Sequence, residues 1–402
     1  MTDSAQSNSL PLAKEQEHPP SYGQLGILMA AGALSSAVGS MVAPVFPEVK
    51  QALQVSPWWA GTLVGVHTLT MALATPLLGL LANRVGHRRV LVGSLIAYGI
   101  FGMLGALAIN FGTMFLSRAL VGAASGGVAV ISIGVLSGSY EGEARTKMMG
   151  YATSALASST VFFPILGGWI GSLNWRYAFC LNGIAFPVAI AALFFLEIPA
   201  ALNPVNANLK DRSVLLNVVR QRRVLTILFT LAFASALFYV VVVYAPLYLK
   251  EAMDAKPLVN GFVLATRAVG AAIVSAFGAS RLAKWLGAQK AIALGFLLMS
   301  LSLISIPLVQ SPILIVVSAL PFGFGFGVVM PNLYDRLSNC APTAQQTILL
   351  GIGTGISSLG QFFSPTIFGP IWATLGAIIF FVAGTSGLLW AALMSFTPPQ
   401  EA

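Results

Sequence analysis

Charge is scarce in this sequence: Asp, Glu, Lys and Arg together make up 8% of its 402 residues, where soluble domains carry roughly a quarter. So few charged groups cannot clothe the surfaces of the two or three soluble domains that the length would allow, and a mean hydropathy of +0.85 excludes that class outright. Cysteine is rarer still. The 2 cysteines, Cys180 and Cys340, fall on opposite sides of the membrane in the topology below, which argues against a structural disulfide, and no CxxC or His/Cys cluster suggests a metal. The sequence also lacks a nucleophile with a positioned base and a phosphate-binding loop, so neither an enzyme nor a cofactor is indicated. Strand-scale alternation is missing, which removes an outer-membrane barrel.

What is present is apolar runs of membrane-spanning length. They cover approximately residues 23 to 46, 57 to 80, 90 to 109, 112 to 138, 147 to 171, 176 to 199, 224 to 249, 257 to 280, 288 to 309, 312 to 334, 342 to 368 and 374 to 396, about twelve spans in all. The expected class is an all-α membrane protein of two pseudo-symmetric six-helix halves. Its parts are a disordered cytoplasmic tail at 1–21, a bundle at 22–199, a cytoplasmic loop at 200–222, a second bundle at 223–397 and a cytoplasmic tail at 398–402. With the N-terminus inside, most of the 21 cations fall on inner segments, among them Arg84, Arg88, Arg89, Arg145, Lys147, Arg222, Arg223, Arg281 and Lys284. The outer loops hold only Lys50, Arg176, Lys250 and Lys256, so the positive-inside rule places both termini in the cytoplasm. The halves echo one another: Pro57 and Pro257 open the second and eighth spans, and Gly86 and Gly287 lie in the loops that close them.

The densest charge stands in "GLLANRVGHRRVLV", residues 79 to 92. Gly79, Leu81, Ala82, Arg84, Gly86, Arg88 and Arg89 resemble the loop signature of the major facilitator superfamily, with Asn83 where that family carries Asp. Two further stretches resemble its twelve-span drug and metabolite efflux branch. In "LSRALVGAASGG", Arg118 and Gly122 match a fourth-span motif whose usual Gln is here Val121. In the fifth span Gly150, Pro164, Gly167 and Gly168 match the antiporter motif, although Ser159 and Phe163 replace two of its glycines; the same residues also read as a kink and a close helix contact. The resemblance implies a secondary-active multidrug or metabolite exporter, a monomer working by alternating access in the bacterial inner membrane. It further implies proton-coupled antiport, with Arg118 implicated in the coupling.

Ionisable residues inside the spans carry the sharper information, since an Arg at a helix centre costs about 2.5 to 3.5 kcal/mol on insertion scales. Arg267 lies ten residues after Pro257 and His67 ten after Pro57, each about 15 Å into its span. The sequence places all 12 of its carboxylates in tails, loops or span ends. A buried acid is therefore unavailable for binding a cationic drug, and proton coupling would fall to His67 or to the end-placed Glu48 and Asp335. Substrate and coupling candidates are Arg118, Arg267, His67, Gln361 and Tyr239. Tyr244, Tyr248, Phe322, Phe324 and Phe326 are further candidates for an aromatic lining, and Asn182 for a polar contact. The expected cargo is a metabolite, a siderophore-like compound or a weakly acidic drug; nucleic acid is not a partner. The competing expectation is uptake of an organic or nitrate-like anion through a His67/Arg267 site.

Overall fold

The computed structural model describes residues 22–140, 142–196, 218–341 and 343–396. The two tails and most of the connection at 200–222 lie outside the described residues. The first span is Tyr22–Ser40, continued by a 3-10 turn at Ala43–Val45 and a short helix at Phe46–Ala52. Spans two to five are Pro57–Val85, His87–Leu104, Phe111–Gly138 and Gly142–Gly171. The sixth runs from Trp175–Cys180 through a 3-10 stretch, Leu181–Ile184, into Ala185–Phe195. Spans seven to ten are Arg222–Met253, Pro257–Phe277, Ala288–Ser305 and Pro312–Ser338; the last two are Thr343–Leu375 and Ile378–Phe396.

Among the described residues, 11 helices are long and apolar enough to cross a membrane. The remaining long helix, Thr343–Leu375, spans 33 residues, but Gly, Ser, Thr and Gln dilute its apolar character. The first six spans pack chiefly on one another, as do the last six. Two seams join these groups, the fifth span against the eighth and the second against the eleventh.

The echo between the halves extends to backbone geometry. Gln54 and Asp254, just before the second and eighth spans, both adopt left-handed φ values of 49° and 47°. Gly86 and Gly287, just after the matching spans, have φ of 104° and 82°, where a Cβ would be strained. The echo is not complete. The second helix continues unbroken to Val85, whereas the eighth stops at Phe277 and is followed by a separate amphipathic helix, Ala279–Leu286. Its Trp285 is exposed, with Arg281 and Lys284 on the same short element.

The first span departs from the simple apolar helix expected over 23 to 46. The helix breaks after Ser40, where the Val42 amide donates to the Gly39 carbonyl (3.3 Å) instead of the Val38 carbonyl one turn back. Pro44, which has no N–H, then fixes the 3-10 turn. The break leaves two main-chain carbonyls, Val38 and Pro44, available to other spans.

Candidate functional site

The contacts across the two seams gather at the end of the bundle that carries Gln54 and Asp254. Gly168 of the fifth span lies so close to the Pro257 carbonyl that a Cβ would overlap it, and Gly261 lies in the same way against the Pro164 carbonyl. The second and eleventh spans repeat the arrangement less tightly, with Gly61 against the Pro365 ring and Gly369 near the Trp58 carbonyl. Each of these four helix segments reads Pro-x-x-x-Gly: Pro57 to Gly61, Pro164 to Gly168, Pro257 to Gly261 and Pro365 to Gly369. Small residues one turn apart let helix backbones touch. Two hydrogen bonds reinforce the seam, from Asn260 Nδ2 to the Pro44 carbonyl (3.0 Å) and from the Leu258 amide to Ser172 Oγ (3.2 Å). Toward the opposite, strongly basic end, Gly150, Gly351 and Gly355 meet no neighbour within 4 Å.

Ion pairs cross the closed end. Lys50 Nζ lies 3.0 Å from Glu251 Oε1, and Lys250 Nζ lies 3.9 Å from Glu48 Oε1. Lys250 also pairs with Asp254 at 2.7 Å and thereby holds that exposed carboxyl below the usual carboxylate range. Partly exposed pairs contribute about 0.2 to 1 kcal/mol each. Lys50→Glu is therefore expected to raise the accessibility of the closed seam up to about fivefold, and Lys50→Glu with Glu251→Lys to restore it. Alkylation of a Cys introduced at Ala60, a fully buried position, reads the change.

The candidate polar residues meet where the closed end stops. Tyr239 of the seventh span donates from its hydroxyl to the Val64 carbonyl of the second (3.1 Å), and His67 Nδ1–H donates to that same carbonyl (2.7 Å). His67 is buried against the first and fourth spans: a Cβ at Gly39 would touch its Nε2, and one at Gly122 would overlap its carbonyl. Arg118, 2% exposed, donates from Nη2 to the Val38 carbonyl (2.8 Å), the group released by the break in the first span. Its other terminal nitrogen, Nη1, is buried with no partner among the described residues. Tyr98 donates to the Leu34 carbonyl (2.9 Å) within electrostatic reach of Arg118.

Arg267, 8% exposed, lays its guanidinium over the Phe238 ring at 3.8 Å. Phe238 in turn stacks on Phe326, with centroids 4.7 Å apart. Nε and Nη1 of Arg267 have no hydrogen-bond partner among the described residues. Both Arg118 and Arg267 interact electrostatically with Tyr239.

The structure does not treat all expected residues alike. It sets His67 beside Arg118 of its own half, whereas Arg267 stands on an aromatic platform of the other. The two matching depths thus hold different environments. Gln361 is half-buried on the eleventh span. Tyr244 approaches the Pro365 carbonyl at 3.5 Å, at the seam. Tyr248 packs edge-on to Phe380, and Phe322 is fully buried in the helix core. Asn182 packs against Gly102 and donates to the Phe179 carbonyl (2.8 Å), a packing role. Gly167 presses on the Met41 carbonyl within the first bundle, while Gly168 beside it serves the seam. Gly79 only reaches ordinary contact distance from Val130 (3.5 Å). Asn83, Arg84, Arg88 and Arg89 are exposed; Arg89 Nη1 reaches the Val85 carbonyl at 3.5 Å. Of the end-placed acids, Asp335 is exposed and Glu48 is engaged by Lys250. Phe238 and the four-fold Pro-x-x-x-Gly pattern escape a reading by spans. The pattern is legible in hindsight, but the cation–π contact depends on how two helices face each other and leaves no mark in the sequence.

Comparison with known proteins agrees with this architecture. A family model described as Major Facilitator Superfamily matches residues 28–365. The chain is 25% identical over 321 residues to a tetracycline resistance protein, class E, of Escherichia coli, covering 77% of each chain. It is 22% identical over 339 residues to multidrug resistance protein 2 of Bacillus subtilis, covering 82% of this chain and 84% of that one. Among solved structures, a D-xylose-proton symporter superposes with a TM-score of 0.76 at 17% identity, covering 94% of this chain and 98% of that one.

Proposed function

The chain belongs to the Major Facilitator Superfamily, and from that premise we propose that it exports a small organic molecule from the cytoplasm by alternating access, in exchange for protons. It is a multi-pass membrane transporter and not an enzyme. The observation that carries the export reading is the seam: Gly168 and Gly261 interlock with Pro257 and Pro164 across the two halves, on the fifth-span motif by which the chain resembles exporters. Its drug-resistance relatives support the same direction.

The positive-inside rule assigns the basic end to the cytoplasm and the sealed end to the outside. In that orientation the described conformation is closed outward, with the deepest bond between the halves at Tyr239 and Val64. Cargo would reach Tyr239, Arg118 and Arg267 from the cytoplasmic side. Outward release would require the seam to part and the basic ends to close. For the proton, His67 is the best-placed group: it stands beside Arg118, and its Nδ1 partner is the carbonyl that also ties the halves together.

Everted membrane vesicles test the reading. Vesicles containing the protein should take up a lipophilic dye when energised and lose it when an uncoupler collapses the proton gradient. Uptake equal to that of vesicles lacking the protein, across a broad substrate panel, sinks the export reading.

Asn83 adds an expectation about the cycle. It is exposed at the separated basic end, and in the family the corresponding acid faces the start of the eleventh helix, which here begins at Thr343. A carboxylate gains about 0.3 to 1 kcal/mol from a helix N-terminus, whereas an amide brings no charge. Asn83→Asp should therefore shift cysteine labelling toward the outward-open form by about two- to fivefold. Unchanged labelling would count against a clip at this position.

A further inference from the structure

We propose that the cargo carries an anionic group, an organic carboxylate attached to an apolar or aromatic body, and that Arg267 is the residue that receives it, with Tyr239 and Arg118 beside it. This rests on the export reading above and specifies its substrate class.

The first ground is an imbalance of charge. Two guanidiniums are buried at the depth where the halves meet, and among the described residues the acids stand at helix ends or loops: Glu48, Glu143, Glu251, Asp254 and Asp335. The ion pairs at the closed end join Glu48 and Glu251 to lysines and leave both arginines without a carboxylate. An arginine does not shed its proton to escape such a setting. From the middle of the eighth span it also cannot readily reach either interface.

The second ground is the way Arg267 is held. Phe238 covers one face of the guanidinium plane, and Phe326 backs that ring from behind. Stacking engages the face of the group and does not satisfy its edge, which is buried. The N–H donors in the plane are therefore the ones to be matched, and Nε and Nη1 have no acceptor among the described residues. A carboxylate meets a guanidinium with two parallel hydrogen bonds along either the Nε/Nη2 edge or the Nη1/Nη2 edge, and each of these edges carries one of the unpartnered donors. A bare helix carbonyl, the structural alternative, does not take up Nε or Nη1 here. Arg118 differs: one of its nitrogens is already committed to the Val38 carbonyl, so it supplies field and one further donor.

The third ground is the surroundings. Phe238 and Phe326 form a stacked aromatic pair beside the donors, both rings are only half-buried, and Tyr239 adds a third ring that interacts with both guanidiniums. A small inorganic anion would satisfy the charge and leave this surface unused. An aromatic carboxylate uses both.

The test compares naphthoate with naphthamide, which has the same ring system and no charge, by thermal shift and titration calorimetry on the purified full-length protein. Naphthoate should raise the apparent stability of the wild type and naphthamide should not. Arg267→Gln should weaken naphthoate binding by about tenfold or more. Arg267→Lys, which keeps the charge but loses the planar fork, should fall in between and shows that the loss is not one of folding. Equal responses to the two probes, no response to naphthoate, or an unaltered response in Arg267→Gln overturns the proposal. A response to nitrate as large as that to naphthoate overturns its organic part. The failure of the export reading is separate: a protein that binds naphthoate yet moves nothing across a vesicle fails as an exporter only, whereas one that extrudes a neutral dye and ignores naphthoate fails here only.

Discussion

Gly168→Leu should slow transport by about 5- to 150-fold while leaving the protein folded in the membrane. A Cβ on Gly168 would lie 2.5 Å from the Pro257 carbonyl oxygen, inside contact distance, and its next neighbour is the Leu258 Cα at 3.1 Å. Both are backbone atoms, so neither can swing aside as a side chain would. Both also belong to the other half of the molecule, so the added bulk burdens the closure of the seam and not the packing of either bundle. Overpacking of this kind costs about 1 to 3 kcal/mol, which displaces a two-state equilibrium by about 5- to 150-fold. The expected readouts are a matching fall in transport rate and increased alkylation of Ala60→Cys, in a background where Cys180→Ser and Cys340→Ser remove the natural thiols. Gly261→Leu, pressed on the Pro164 carbonyl, should act in the same direction. Gly93→Leu on the third span has open space around it and should do neither. If Gly168→Leu transported at the wild-type rate, the seam would not be a moving part.

The spans were legible because bilayer thickness dictates their length, and hydropathy reports that requirement directly. Proline at 57 and 257 marked helix starts because the missing N–H costs nothing in a first turn, and the helices do begin there. Hydropathy does not register a helix break. The run from 23 to 46 is apolar throughout, yet the chain turns after Ser40 and continues as a second helix to Ala52, carrying Glu48 and Lys50 into contact with the seventh span. The polar centre was legible in part. Arg118, Arg267 and His67 stand out in an apolar background because burying them is costly. Their partners do not stand out, being main-chain carbonyls at Val38 and Val64 and an aromatic face at Phe238. Any residue offers a carbonyl; which one faces an arginine is decided by tertiary packing.

Arg118→Leu is expected to have the second large effect, because one side chain serves both the shape of the first span and the charge at the centre. The break after Ser40 redirects the Val42 amide to Gly39, so the Val38 carbonyl loses its helical donor, and Arg118 Nη2 takes that donor's place at 2.8 Å. Removing it leaves a buried acceptor bare, at a cost of about 1 to 3 kcal/mol. A protein of this size should tolerate that loss, with the unfolding temperature falling by a few degrees. Transport should suffer far more, by about a hundredfold or beyond, since the first span also presents the Pro44 carbonyl to Asn260 across the seam. A slackened turn would then misplace that inter-half bond. Arg118→Lys separates the two duties. Its ammonium keeps the charge near His67 and Tyr239 and can still donate to Val38, but it has no second planar nitrogen to offer. It should restore the unfolding temperature and only part of the transport. The coupling role that the resemblance implies for Arg118 calls for a second readout: in Arg118→Lys, exchange of labelled for unlabelled cargo should persist while accumulation driven by a proton gradient is lost. If exchange and accumulation fell by the same factor, Arg118 would be a support for the first span and have no part in the coupling.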